Sequence, residues 1–71
     1  MSLIKRSLTI KGHSTSISLE PEFWEALQLA ARNRTMSIAA LVAEIDQTRG
    51  ESNLSSAIRV WLLDLAQKNR R

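Results

Sequence analysis

At Pro21 the hydrophobic period of the chain changes from two residues to between three and four. That switch confines the fold to a short β segment followed by helices. Upstream, Leu8 and Ile10 alternate with Ser7, Thr9 and Lys11, and Ile4 extends the apolar series with Arg6 interrupting it. Beyond Gly12 the alternation is cleaner, with Thr15, Ile17 and Leu19 on one face and Ser14, Ser16 and Ser18 on the other. The spacing predicts strands over about residues 4–11 and 14–19, the second with one apolar face and one made wholly of hydroxyls.

Proline is tolerated at the first helical position because its missing N–H has no intrahelical partner there. Glu20, Glu22 and Glu25 bring negative charge to the positive end of the helix dipole. A helix is predicted over about residues 21–34, with Phe23, Leu27 and Ala30 sharing a face, Ala26 beside them and Trp24 and Ala31 flanking. Ser37 has the hydroxyl of an N-cap. The helix after it, over about 37–49, places Ile38, Leu41, Val42 and Ile45 at i, i+3, i+4 and i+7 and stops near Gly50. Ser52 or Asn53 can cap a third helix over about 53–68, where Leu54, Ala57, Ile58, Trp61, Leu62 and Leu65 form the most regular apolar stripe.

The chain has 71 residues and no cysteine. One domain at most is expected, burying only about 60% of the surface its unfolded form exposes, without a disulfide or a thiolate metal site. Self-association is the least costly way to complete such a core. The longest apolar run, Ile38–Ala43, is far short of the roughly 20 residues that cross a bilayer. No apolar signal-peptide core follows Lys5 and Arg6. A soluble, cytoplasmic protein without membrane partners is expected, and zero cysteine fits a reducing compartment.

Charge divides the chain. Residues 1–19 carry Lys5, Arg6 and Lys11 and no acid, and residues 67–71 carry Lys68, Arg70 and Arg71. The middle sets four arginines against seven acids, a net −3 within a total of +3. Basic ends suit a polyanion and also a solvated surface. Catalysis is not expected. His13 is the only histidine, so one chain can build neither a histidine-rich metal site nor a Ser-His-Asp arrangement. The two glycines, 12 and 50, make no phosphate loop. No cofactor and no metal are expected.

A single strand pair beside three amphipathic helices is not expected to cover its own apolar faces at this size, so the apolar side of Thr15–Leu19 is expected to need helices from a second chain. The run Thr15-Ser-Ile-Ser-Leu19-Glu-Pro21-Glu-Phe23-Trp24, then Leu27, a break at Asn33-Arg-Thr35-Met36, and Ser37-Ile-Ala-Ala-Leu41-Val42 resembles the bacterial ribbon-helix-helix (Arc/MetJ-like) DNA-binding domain family over roughly residues 13–47. The resemblance implies a mainly α fold with a short N-terminal β region. It also implies an obligate homodimer in which one strand from each chain pairs antiparallel about a two-fold axis. Its implied dimer core is Ile17, Leu19, Phe23, Leu27, Leu41, Val42, Ile45 and Trp61. Double-stranded DNA is the implied partner of a transcriptional regulator or antitoxin-like repressor, with Ser14, Ser16 and Ser18 on base edges. The phosphates fall to Lys5, Arg6, Lys11, Ser37 and Ile38, the last two through the N-terminus of the second helix.

Three features depart from the family pattern. Serine makes no bidentate match to a base, so the ribbon discriminates weakly between sequences. The strand before Gly12 is additional; a four-stranded dimer sheet is too wide to enter the groove flat, and Ser7, Thr9 and Lys11 are themselves a candidate ribbon. Thr15–Leu19 is preferred because it abuts Pro21. The third helix is also additional, and its apolar stripe, Trp61 included, must be buried under the dimer or against another protein. A dimeric protein-interaction module of the same fold that does not bind DNA is therefore the rival expectation.

Overall fold

The computed structural model describes residues 2–48 and 53–68. Expectations that fall on Arg49, Gly50, Ser52, Arg70 and Arg71 lie outside the described residues. The order of elements is β1 (Ile4–Ile10), β2 (His13–Leu19), α1 (Pro21–Asn33), α2 (Ile38–Thr48) and α3 (Leu54–Lys68).

The strands form one antiparallel hairpin whose register runs from Ile10↔His13 to Ile4↔Leu19. Its loop is the pair Lys11-Gly12, with φ of 52° and 81°. Two successive left-handed residues make the type of turn whose twist matches that of the flanking strands. That requirement ends β1 at Ile10, one residue short of the expected boundary, because Lys11 belongs to the turn.

Each helix end has an identifiable cause. The Glu20 backbone is extended at the N-cap of α1, and its carbonyl accepts from the N–H groups of Phe23 and Trp24. At the other end the N–H of Met36 donates to the Ala31 carbonyl at 2.9 Å and that of Thr35 to Arg32 at 3.1 Å. This is the Schellman pattern, and it stops α1 at Asn33. Ser37 Oγ accepts from the N–H of Ala40 at 3.0 Å, opening α2 at Ile38. Asn53 Oδ1 accepts from Ser55 and Ser56, opening α3.

The Schellman position that glycine ordinarily fills is held here by Thr35, at φ 56°. A β-branched residue in the left-handed region costs about 1–2 kcal/mol. Thr35→Gly is expected to raise stability by about 1 kcal/mol, once the greater chain entropy of glycine is subtracted. Thermal unfolding of the two proteins checks this, and an unchanged or lower midpoint would contradict it.

Packing departs from expectation at one point. Ile17, Leu19, Leu27, Leu41, Val42 and Ile45, expected at a dimer core, are at most 2% exposed within a single chain. The element that closes the core is α3, which packs on α1, α2 and β2 and contributes Ile58 and Leu62. The inner face of β2 is thus covered by helices of its own chain, and the expected need for a second chain to cover it does not hold. Phe23 and Trp61, the other two expected dimer-core residues, are half-buried at the margin of this core.

Long-range polar contacts lock the helices to the hairpin. Trp24 is 2% exposed and its Nε1–H donates to the Ile4 carbonyl at 2.8 Å, tying α1 to the start of β1. Glu20 Oε1 accepts from Arg59 Nε at 3.0 Å, joining the β2–α1 junction to α3. A hydrogen bond from its own backbone and then the Arg59 guanidinium hold the Glu20 carboxyl below the usual carboxylate range. Each of the three aromatic rings carries an arginine. Arg6 lies over Trp24 at 5.2 Å, Arg34 over Trp61 at 5.6 Å and Arg59 over Phe23 at 5.9 Å. Such cation–π contacts contribute about 0.5–1 kcal/mol at exposed sites.

Candidate nucleic-acid interface

Strand register decides which side chains share a surface. Residues paired across two strands point to the same face, and faces alternate along each strand. Buried Ile10, Ile17 and Leu19 mark the inner face, so the pairs Lys5↔Ser18, Ser7↔Ser16 and Thr9↔Ser14 mark the outer one. All six outer residues are exposed except Ser18, which is half-buried. The outer surface of the hairpin is therefore five hydroxyls and one ammonium, with Lys11 at its turn.

The register unites two sets of residues that the sequence had kept as alternatives. Ser14, Ser16 and Ser18 of one candidate ribbon stand directly across from Ser7 and Thr9 of the other. The readable signal was the two-residue Lys11-Gly12 interval between two alternating runs, because a loop that short fixes which residues oppose each other.

Electrostatics favour an anion. No acid precedes Glu20, and the outer face carries Lys5 with Lys11 at its tip. Arg6 falls on the inner side of the register, opposite Ile17, with its guanidinium over the Trp24 ring. Its charge sits beside the ribbon instead of on the outer face. His13, opposite Ile10, borders with Asp46 a cavity of about 200 Å³ at the turn.

Dimensions suit a groove. Two strands stand about 4.8 Å apart, and the major groove of duplex DNA is about 12 Å wide. One hairpin fits it, whereas four strands abreast do not. The Ser37 hydroxyl is occupied as a cap of α2, while the N–H groups of Ile38 and Ala39, in the first turn, have no intrahelical partner. Among the described residues no cluster of His, Cys, Asp or Glu could hold a metal ion, and no helix is long and apolar enough to cross a membrane.

Residues 3–66 match a family model described as a ribbon-helix-helix domain, so the match extends through β1 and nearly all of α3 as well as the central elements. No curated protein and no solved structure matches the chain.

Proposed function

The chain belongs to the ribbon-helix-helix domain family, and from that premise we propose that it is a homodimeric protein that binds duplex DNA, a transcriptional regulator or antitoxin-like repressor of the cytoplasm. Members of this family are typically DNA-binding regulators or antitoxins rather than enzymes. The observation that carries the reading is the acid-free outer face of the hairpin, narrow enough for the major groove and made of hydroxyls and lysine. Ser14, Ser16 and Ser18, joined by Ser7 and Thr9, meet base edges. Lys5 and Lys11 reach phosphates from the ribbon, Arg6 from its edge, and Ser37 and Ile38 through the N-terminus of α2.

A hydroxyl donates or accepts to several bases without a bidentate match, so most of the affinity comes from phosphates. Binding then weakens steeply with salt, log affinity falling by about 0.9 per log unit of salt for each phosphate neutralised. Fluorescence anisotropy with random duplexes at two salt concentrations measures that slope. A flat salt response, or no binding at low salt, would overturn the reading. The exposed apolar residues of α3 favour a second one, a dimeric protein-interaction module of the same fold that leaves DNA alone; absence of any duplex binding would select it.

A further inference from the structure

Of the three arginines that lie over aromatic rings, one differs from the other two. Arg34, over Trp61, also pairs with Glu44 at 3.7 Å, and Arg59, over Phe23, pairs with Glu20 at 3.0 Å. Those two charges are balanced within the fold. Arg6, over Trp24, has no carboxylate partner among the described residues and lies in a stretch with no acid before Glu20. Its charge is left for an anion from outside the chain.

Trp24 sets where that charge stands. The indole is buried, and its Nε1–H donates to the Ile4 carbonyl at 2.8 Å. That carbonyl belongs to β1, two residues before Arg6, so one ring fastens the strand and supplies the surface under the guanidinium. Arg6 itself stays exposed. Contact with a ring face leaves N–H donors of the planar fork for a bidentate match to two oxygens of one phosphate. An arginine that grips an anion must give up the freedom of a long side chain, and here the ring restricts that freedom when the chain folds.

The register gives the clamp its target. The pair Arg6↔Ile17 lies between Lys5↔Ser18 and Ser7↔Ser16 of the outer face. A side chain in mid-ribbon that leaves by the other face meets the wall of the groove, which is phosphate backbone, and not the base edges at its floor.

We propose that Trp24 is a positioning residue for DNA binding, holding Arg6 ready for bidentate contact with a backbone phosphate of the duplex. The inference rests on the duplex-binding reading of the hairpin and brings a residue of α1, outside the ribbon, into control of its affinity.

Anisotropy on the full chain, with unrelated duplexes over a range of salt, tests it. Arg6→Gln is expected to lower affinity at least about tenfold, equally on every sequence, and to flatten the slope of log affinity against log salt by about 0.9 for each copy bound. Arg6→Lys keeps the charge, and so the slope, but loses the fork, and is expected to bind at least about threefold more weakly than wild type. Arg34→Gln removes a ring-bound arginine that already has a carboxylate and is expected to leave the slope unchanged. Trp24→Phe is measured with and without Arg6→Gln. It should weaken binding when Arg6 is present and add nothing once Arg6 is gone, as for one residue acting through another.

A Trp24 variant that fails to fold is replaced by a second measurement. In Trp61→Phe protein all tryptophan emission comes from Trp24; it should shift on adding R6Q and stay constant when duplex binds, because a ready-made clamp does not leave its ring. An R6Q protein with wild-type affinity and slope, R6K equal to wild type, R34Q as flat as R6Q, W24F equally damaging in both backgrounds, or Trp24 emission that moves on duplex binding would each overturn the proposal. In all of these the wild-type chain still binds and the DNA reading stands, whereas a wild-type chain that binds no duplex removes both.

Discussion

Ile58→Ala is expected to cost about 2–5 kcal/mol, the range for truncating a fully buried isoleucine. Ile58 is 0% exposed and sits on α3, the element that closes the core over β2. Small domains have a total stability near the lower end of about 5–15 kcal/mol, so the variant should be largely unfolded at physiological temperature or lose more than about 10 °C in Tm. Lys68→Ala, on the same helix, removes only an exposed ion pair and should change stability by less than about 1 kcal/mol. Thermal unfolding followed by circular dichroism compares the two. A variant I58A as stable as wild type would mean that α3 is not part of the core, and that the inner face of β2 finds its cover elsewhere.

Ser16→Glu carries the largest expected effect on function. Ser16 lies mid-strand on the outer face, opposite Ser7, in a stretch where the nearest acid is Glu20. A carboxylate there enters the groove on a face otherwise free of negative charge, against the negative potential of the flanking phosphates, and like-charge juxtaposition in an interface costs several kcal/mol. Affinity for duplex DNA should fall at least about 100-fold, which corresponds to about 2.7 kcal/mol. The side chain is exposed and the hairpin is bonded through backbone groups, so stability should stay within about 0.5 kcal/mol. Anisotropy and thermal unfolding on the same sample separate the two effects. Undiminished binding by S16E would remove the outer face of the hairpin from the DNA interface.

These two substitutions probe opposite faces of the same hairpin, and the sequence foretold them unequally. The alternation Thr15, Ile17, Leu19 against Ser14, Ser16, Ser18 marks both faces of β2 by itself, since a strand alternates whatever it packs on. Helix starts at Pro21, Ser37 and Asn53 were equally legible, because a cap is a contact between residues two or three apart. The end of α1 was legible only as a break, since nothing in Thr35-Met36 announces that a threonine would take the left-handed position. Glu20 was expected to serve the helix dipole, yet its carboxylate reaches Arg59, 39 residues away. For Arg6, which the proposed function keeps on DNA phosphates, the sequence did not announce that its guanidinium also rests on Trp24, a ring from a different element.

The sequence by itself determined the kinds of element, their order and their boundaries to within one residue, because period, caps and turn residues act over a few positions along the chain. The Lys11-Gly12 interval between two alternating runs is a local signal as well, and it makes the two candidate ribbons the strands of one hairpin. Only the tertiary structure decided that α3 folds back over β2 to bury Ile58 and Leu62. That outcome depends on the direction in which each element leaves its turn, and therefore on which distant faces meet, a quantity that no local pattern encodes. The apolar stripe read from the sequence, Leu54, Ala57, Ile58, Trp61, Leu62 and Leu65, is the side of α3 turned to the core, and Val60 and Leu63, which lie off that stripe, stay exposed.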